Sequence, residues 1–144
     1  MASNAGMRKG DELAGKVALV TGGARNIGRA IARSLAAGGA SVMVNARTSR
    51  PEAEKTVEMI GAKAALHIAD VTSEKDVAAL VEATVKRFGR LDFLVNNAAV
   101  RYETPFSSMT FEEWRQVLAI VLDGAFLCGR AALPHMISAG GGSI

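Results

Sequence analysis

Thr21-Gly22-Gly23-Ala24-Arg25-Asn26-Ile27-Gly28 follows directly on the apolar run Val17-Ala18-Leu19-Val20. A strand that breaks into a glycine-rich turn and then a helix is suited to holding an anion. The first helical turn presents unpaired N–H groups and the positive end of the helix dipole, and both favour a phosphate. Gly22 and Gly23 lack a Cβ, so the backbone there can turn sharply and come close to a ligand. Gly28 lets the helix pack tightly on the strand. The spacing is not G-x-G-x-x-G, and Asn26 stands where a turn of this kind usually carries another glycine. On these residues alone, a plain tight bend between strand and helix accounts for the turn as well.

The elements that must hold the turn are short apolar runs alternating with helical patterns. Segments 16–21, 41–45, 64–69 and 92–96 are rich in Val, Leu and Ile with little polar alternation, as in strands covered on both faces. Helices are predicted near 27–38, 51–60, 73–88 and 111–138. Ser73 with Asp76 and Thr110 with Glu113 fit a capping pattern, and Pro51 suits a first helical turn. Val77, Leu80, Val81, Val85 and Phe88 make one apolar face, which Gly89 ends. Pro134 is expected to bend the last helix. The order β-α-β-α-β-α-β-α implies right-handed crossovers and a parallel sheet.

The chain has 144 residues, 49% hydrophobic and 22% charged, in keeping with one globular domain. The formal net charge is +3 and the basic residues are scattered, which argues against a nucleic-acid surface. A single cysteine, Cys128, excludes an intrachain disulfide and a thiolate metal cluster, and suits a reducing compartment. His67 and His135 lack partners at metal-ligand spacing, so no metal is expected. Residues 1–14 read as a polar, flexible leader ahead of a domain at 15–144. No stretch reads as a bilayer span, so the expectation is a cytoplasmic protein without a membrane partner.

Several motifs resemble the short-chain dehydrogenase/reductase family. "TGGARNIG" is similar to its T-G-x-x-x-G-x-G turn, with Asn26 in place of the middle glycine. "NNAA" at 96–99 resembles its N-N-A-G after the fourth strand. "DVT" at 70–72 resembles the acidic close of the third strand, and the stretch from Phe111 to Met136 resembles its long interface helix. The likeness runs from about residue 14 to the last residue and is closest to bacterial 3-oxoacyl-carrier-protein reductases. It implies a Rossmann-type doubly wound parallel sheet that breaks off at the start of a fifth strand, with strands one to four arranged 3-2-1-4 and an unpaired apolar edge on the fourth. It also implies hydride transfer between a nicotinamide cofactor and a small carbonyl or alcohol substrate, and a dimer or tetramer formed through helix 111–138. Asparagine is the best substitute where a glycine is kept for positive φ. Asn26 is therefore read as part of a working turn, its strain of about 1 kcal/mol offset by binding contacts.

The cofactor-binding set this implies is Gly22, Arg25, Asn26, Ile27, Gly28, Asn45, Arg47, Asp70, Val71, Asn97, Ala98 and Ala99. An NAD enzyme places Asp or Glu at the end of the second strand to accept from the ribose 2′-hydroxyl. Here that stretch is "VNARTSR", with no acid before Glu52. Arg47 and Arg25 therefore read as a site for the 2′-phosphate of NADP(H), with no carboxylate opposing them, and NAD as the lesser fit. Each charge-assisted contact is worth about 1.5–3 kcal/mol.

The catalytic residues of the family are not matched. By resemblance the chemistry uses a tyrosine whose pKa a lysine lowers, a serine and a relay asparagine; an unaided phenol near 10 is a poor base at neutral pH. Tyr102, the sole tyrosine, is followed by Glu-Thr-Pro-Phe and is expected in a loop beside the substrate pocket. Val121 stands where the relay asparagine belongs, and Asp123, about 200° further round the helix, cannot replace it. "GGGSI" reads as the entry to a fifth strand, beyond which the family's serine, tyrosine and lysine lie. No catalytic residue is assigned, and these residues alone are expected not to turn over. The alternatives are a binding module or pseudoenzyme without catalysis, which Val121 favours, and another nucleotide binder such as a methyltransferase, which "NNAA" disfavours.

Overall fold

The computed structural model describes residues 10–144. Strands β1 (Val17–Val20), β2 (Ser41–Ala46), β3 (Ala64–Ile68) and β4 (Phe93–Val95) form one parallel sheet in the order β3-β2-β1-β4. The chain moves outward from β1 to β3 and then crosses back to β4. That reversal places a topological switch point between β1 and β4, where an open α/β sheet binds its ligand.

Helices α1 (Asn26–Ala37) and α2 (Arg50–Ile60) cover one face, and α3 (Glu74–Phe88) covers the other with a long helix built of α4 (Phe111–Leu118) and α5 (Gly124–Ser138). Alternate strand residues divide between two cores. Ala18, Val20, Val42 and Val44 pack under α1 and α2, while Leu19, Met43 and Leu94 pack under α3 and α5. Having no polar face, β1 is buried throughout, which explains its unbroken apolar run.

Most helix ends follow their sequence signals. Thr110 and Glu113 form a full capping box, and Gly89 ends α3 in the left-handed region at φ +85°. At α3 the box is half made. Ser73 accepts from the Asp76 N–H, but the Asp76 carboxylate takes the N–H of Asp70 instead. A capping residue thus fixes the exit of β3.

Several expectations need correction. Residues 10–14, read as flexible leader, form a turn in which the Leu13 N–H donates to the Gly38 carbonyl at 2.7 Å; residues 1–9 of that leader lie outside the described residues. The edge of β4 is not wholly free, because Ser143 pairs with it in parallel: Leu94 N–H donates to the Ser143 carbonyl and Ser143 N–H to that of Asp92. The last helix also carries a π turn at Ala119–Asp123 that the sequence does not announce, and Pro134 lies inside α5. The whole helix, Phe111–Ser138, is also long and apolar enough to cross a membrane by length and composition. Asp123 and Arg130 interrupt its apolar residues, so a search for an unbroken apolar run misses it. One stripe of it, Gly124, Cys128, Ala132 and Met136, is buried in the domain core, whereas Phe111, Leu122, Phe126 and Ile137 are exposed.

Candidate functional site

The glycine turn lies at the carboxyl end of β1 and feeds α1. No side chain caps α1 and its first turn holds no acid, so its leading N–H groups face the cleft unopposed by negative charge. Two residues hold left-handed backbone here, Gly22 at φ +63° and Asn26 at φ +49°. Asn26 is the single non-glycine residue with positive φ among the described residues, and its amide is at the surface. A Cβ on Gly28 would run into the Gly22 carbonyl and the Asn97 amide. Gly28 therefore serves the contact of helix with turn more than that of helix with strand.

Thr21 and Asn97 join the ends of β1 and β4. The Asn97 amide donates to the carbonyls of Thr21 (3.0 Å) and Gly22 (3.1 Å). The Thr21 hydroxyl accepts the N–H groups of Asn97 and Ala98 and donates to the Val95 carbonyl. Asn97 thus holds the glycine turn in shape from beneath, while Ala98 and Ala99 line the opening beside it.

A cleft of about 430 Å³ runs across these strand ends. Gly22, Arg25, Asn26, Ile27, Gly28, Asn45, Arg47, Asp70, Val71, Asn97, Ala98 and Ala99 all line it, so the residues singled out in the sequence meet at one place. They do not all meet in the expected manner. Asn45 is only 1% exposed, and its side chain is occupied internally. Its Nδ2 group lies within hydrogen-bond reach of the carbonyls of Ala46, His67 and Ala69, and its Oδ1 accepts from Gly22 N–H at 3.4 Å. It braces the turn against β3 and leaves no amide group for a ligand. The Arg47 guanidinium, 62% exposed, lies 3.9 Å from the Asp70 carboxylate, so a carboxylate does oppose it. β2 and β3 end side by side, which brings together residues far apart in sequence.

Partial burial pushes the Asp70 carboxyl up, but the Thr72 N–H and hydroxyl, with Arg47, outweigh it and hold the group below the ordinary aspartate value. Asp70 is therefore an anion at neutral pH. Its N–H is taken by Asp76, and the chain beyond it presents Val71 to the cleft.

A narrower lobe of about 130 Å³ continues past Ala98 and is lined by Thr21, Asn96, Val121, Gly124 and Cys128, among others. The π turn presents Ile120 and Val121 to this lobe, and Gly124 packs so closely on Val71 that a Cβ would meet it at 2.9 Å. Burial pushes the Cys128 thiol up to about 11, which keeps it neutral and unreactive. Tyr102 is not in the lobe. Its hydroxyl donates to Gln116 at 2.6 Å on the surface of α4. His67 lies in β3 and His135 in α5, away from the cleft lining.

Sequence reasoning passed over Thr48 and Ser49, whose hydroxyl-bearing side chains line the cleft next to Arg47. Hydroxyls adjoining an arginine at a strand end were the available signal. It also passed over Thr21 as an organiser and Ile120 as a lining residue; the latter depends on the π turn, which no local pattern announces.

A parallel sheet with a glycine turn at its switch point and an uncapped helix aimed into the cleft defines a nucleotide-binding α/β domain. A family model described as short chain dehydrogenase matches residues 16–144. The chain belongs to that family, in which NAD(P)-dependent oxidoreduction is general. It is 43% identical over 136 residues to an uncharacterized oxidoreductase of Methylorubrum extorquens, covering 92% of this chain and 54% of the relative. It is 39% identical over 137 residues to cis-4-hydroxycyclohexanecarboxylate dehydrogenase of Sinomonas cyclohexanicum, covering 94% and 55%. The crystal structure of 3-ketoacyl-(acyl-carrier-protein) reductase from Brucella melitensis, complexed with NADH, superposes with a TM-score of 0.85 at 36% identity, covering 89% of this chain and 53% of that one. The chain spans about half the length of the relatives it matches.

Proposed function

We propose that this chain is the cofactor-binding part of an NADP(H)-dependent oxidoreductase that moves a hydride between nicotinamide and a carbonyl or alcohol. The observation that carries the reading is the pair Arg25 and Arg47, both exposed on the cleft, which Thr48 and Ser49 next to Arg47 also line. Glycine backbone and an uncapped helix start fit a pyrophosphate. The Asp70 carboxylate, the Val71 backbone and Ile27 suit an adenine, and Ala98, Ala99 and the lobe beside Val121 suit a flat ring. When bound, the cofactor supplies or accepts the hydride. This chain's residues hold and orient it. The Arg47–Asp70 contact is long and exposed, so the guanidinium can turn to a 2′-phosphate at little cost.

Among the described residues lining the narrow lobe, the Cys128 thiol is held neutral by burial and the Thr21 hydroxyl is taken up by backbone groups. Val121 cannot hydrogen-bond, and Tyr102 is engaged with Gln116. We accordingly propose that residues 1–144 do not turn over alone, that the exposed apolar face of helix 111–138 meets a second copy, and that the protein works in the cytoplasm. Val121 also favours a second reading, a dinucleotide-binding module without chemistry. Titrating the protein with NADPH and NADH tests the main one. NADPH should bind more tightly, and Arg47→Asp should weaken NADPH about 10–100-fold, as expected for losing one charge-assisted contact. Equal affinities before substitution would sink the NADP assignment.

A further inference from the structure

Arg29 has no place in the cofactor set, yet its guanidinium is among the most heavily hydrogen-bonded side-chain groups in the domain. Its Nη2 donates to the Ala24 carbonyl at 2.7 Å and to the Glu52 carbonyl at 3.0 Å. Its Nε is shared between the Ala24 carbonyl at 3.2 Å and the Thr56 hydroxyl at 2.8 Å. Thr56 is fully buried, and its hydroxyl has the same two carbonyls, of Ala24 and Glu52, within reach. All these partners are neutral oxygens, and among the described residues no carboxylate lies within ion-pair distance of Arg29.

The two carbonyls belong to different segments, the glycine turn and the start of the helix that follows the cleft-lining residues 45–49. Ala24 precedes Arg25 in the glycine turn. Glu52 lies in the first turn of α2, just after Arg47, Thr48 and Ser49. The clamp therefore sets the distance between the two segments that carry the cationic and hydroxyl groups at the adenosine corner. Its uncompensated positive charge also sits behind that corner.

We propose that Arg29, seated on Thr56, is a positioning residue for recognition of a ribose phosphate monoester, setting the preference for NADPH over NADH. The inference rests on the NADP reading above and adds to it a residue that touches no cofactor. A planar guanidinium can reach three acceptors on two segments at once, and an ammonium cannot. The glycine turn proper is braced separately, by Asn45 and Asn97, so loosening the clamp disturbs the corner more than the pyrophosphate cradle.

The test is calorimetric titration of the full chain, with any native flanking sequence retained, against NADPH and NADH separately. Arg29→Lys and Thr56→Val should each weaken NADPH about tenfold and NADH less than about twofold, and Thr56→Ser should restore the original preference. Should Arg29→Lys not fold, the Thr56→Val and Thr56→Ser pair decides, since that exchange is nearly isosteric. Parallel loss of both dinucleotides, in a protein whose unsubstituted form prefers NADPH, would show a merely structural clamp and overturn this inference alone. Equal affinities in the unsubstituted protein would overturn it together with the NADP reading.

Discussion

The two ends of the sheet use polar side chains in opposite ways. At the carboxyl ends, Thr21, Asn45 and Asn97 turn their polar groups onto backbone atoms of the turn and its neighbours, and the first-turn N–H groups of α1 are left for a ligand. At the amino ends, charged groups close on each other. Asp92, 2% exposed, accepts from the Val17 N–H, from Lys16 at 3.2 Å and from Nε and Nη2 of Arg90, whose Nη2 also reaches the Ala139 carbonyl. Burial pushes the Asp92 carboxyl up, but Arg90, the Val17 N–H and Lys16 together hold it below the ordinary value. One end stabilises the fold by satisfying its charges; at the other, the α1 donors are left unsatisfied and the glycine turn beside them is held in shape by the neutral side chains of Thr21, Asn45 and Asn97. Removing groups from the two ends should therefore have different consequences.

The largest effect is expected at Gly28. A Cβ there meets the rigid Gly22 carbonyl, so Gly28→Ala should cost about 3 kcal/mol in thermal or urea unfolding. Whatever folds should lose measurable dinucleotide binding, because the turn must move. If affinity survived, the turn would not be the anchoring point of the cleft.

Asp92→Ala comes next, at about 2–3 kcal/mol for an orphaned buried N–H and lost charge-assisted bonds, with dinucleotide affinity unchanged in the folded fraction. Asp92 has a depressed folded pKa, so its contribution is complete above the unfolded value near 3.9 and is lost as pH falls through the folded one. Urea unfolding of the parent should weaken below about pH 4, and the substituted chain should show a shallower acid limb. A drop in affinity on Asp92→Ala would mean that the two ends are mechanically coupled.

The smallest effect belongs to Asn26. With φ at +49°, Asn26→Gly should leave the melting temperature nearly unchanged, whereas Asn26→Val should cost about 1–2 kcal/mol. Equal melting temperatures would show that the backbone there carries no strain.

Much of this contrast could be read from the chain, and the rest could not, for identifiable reasons. The strand positions and the left-handed Asn26 were legible because apolar runs and glycine substitutions are local signals, and the strand order followed from the family resemblance. The pairing of Arg47 with Asp70 was not, since it arises where two parallel strands end beside each other. Asn45 looked like a ligand group because a polar residue at a strand end has no local mark of which way it faces. Its direction is set by β3 carbonyls that the sequence does not place. The Asp92 cluster joins β1 to β4 across most of the chain and was missed for the same reason. The π turn that aims Val121 leaves a sequence that still reads as plain α-helix.

The most direct test of the central claim, that the carboxyl end of the sheet receives the dinucleotide, is amide hydrogen exchange with and without saturating NADPH. Added protection should fall on residues 22–28, 46–49, 70–71 and 97–100, with the amides around Val17 and Asp92 unchanged. Protection centred on the amino end, or no change along the glycine turn at saturation, would contradict the account.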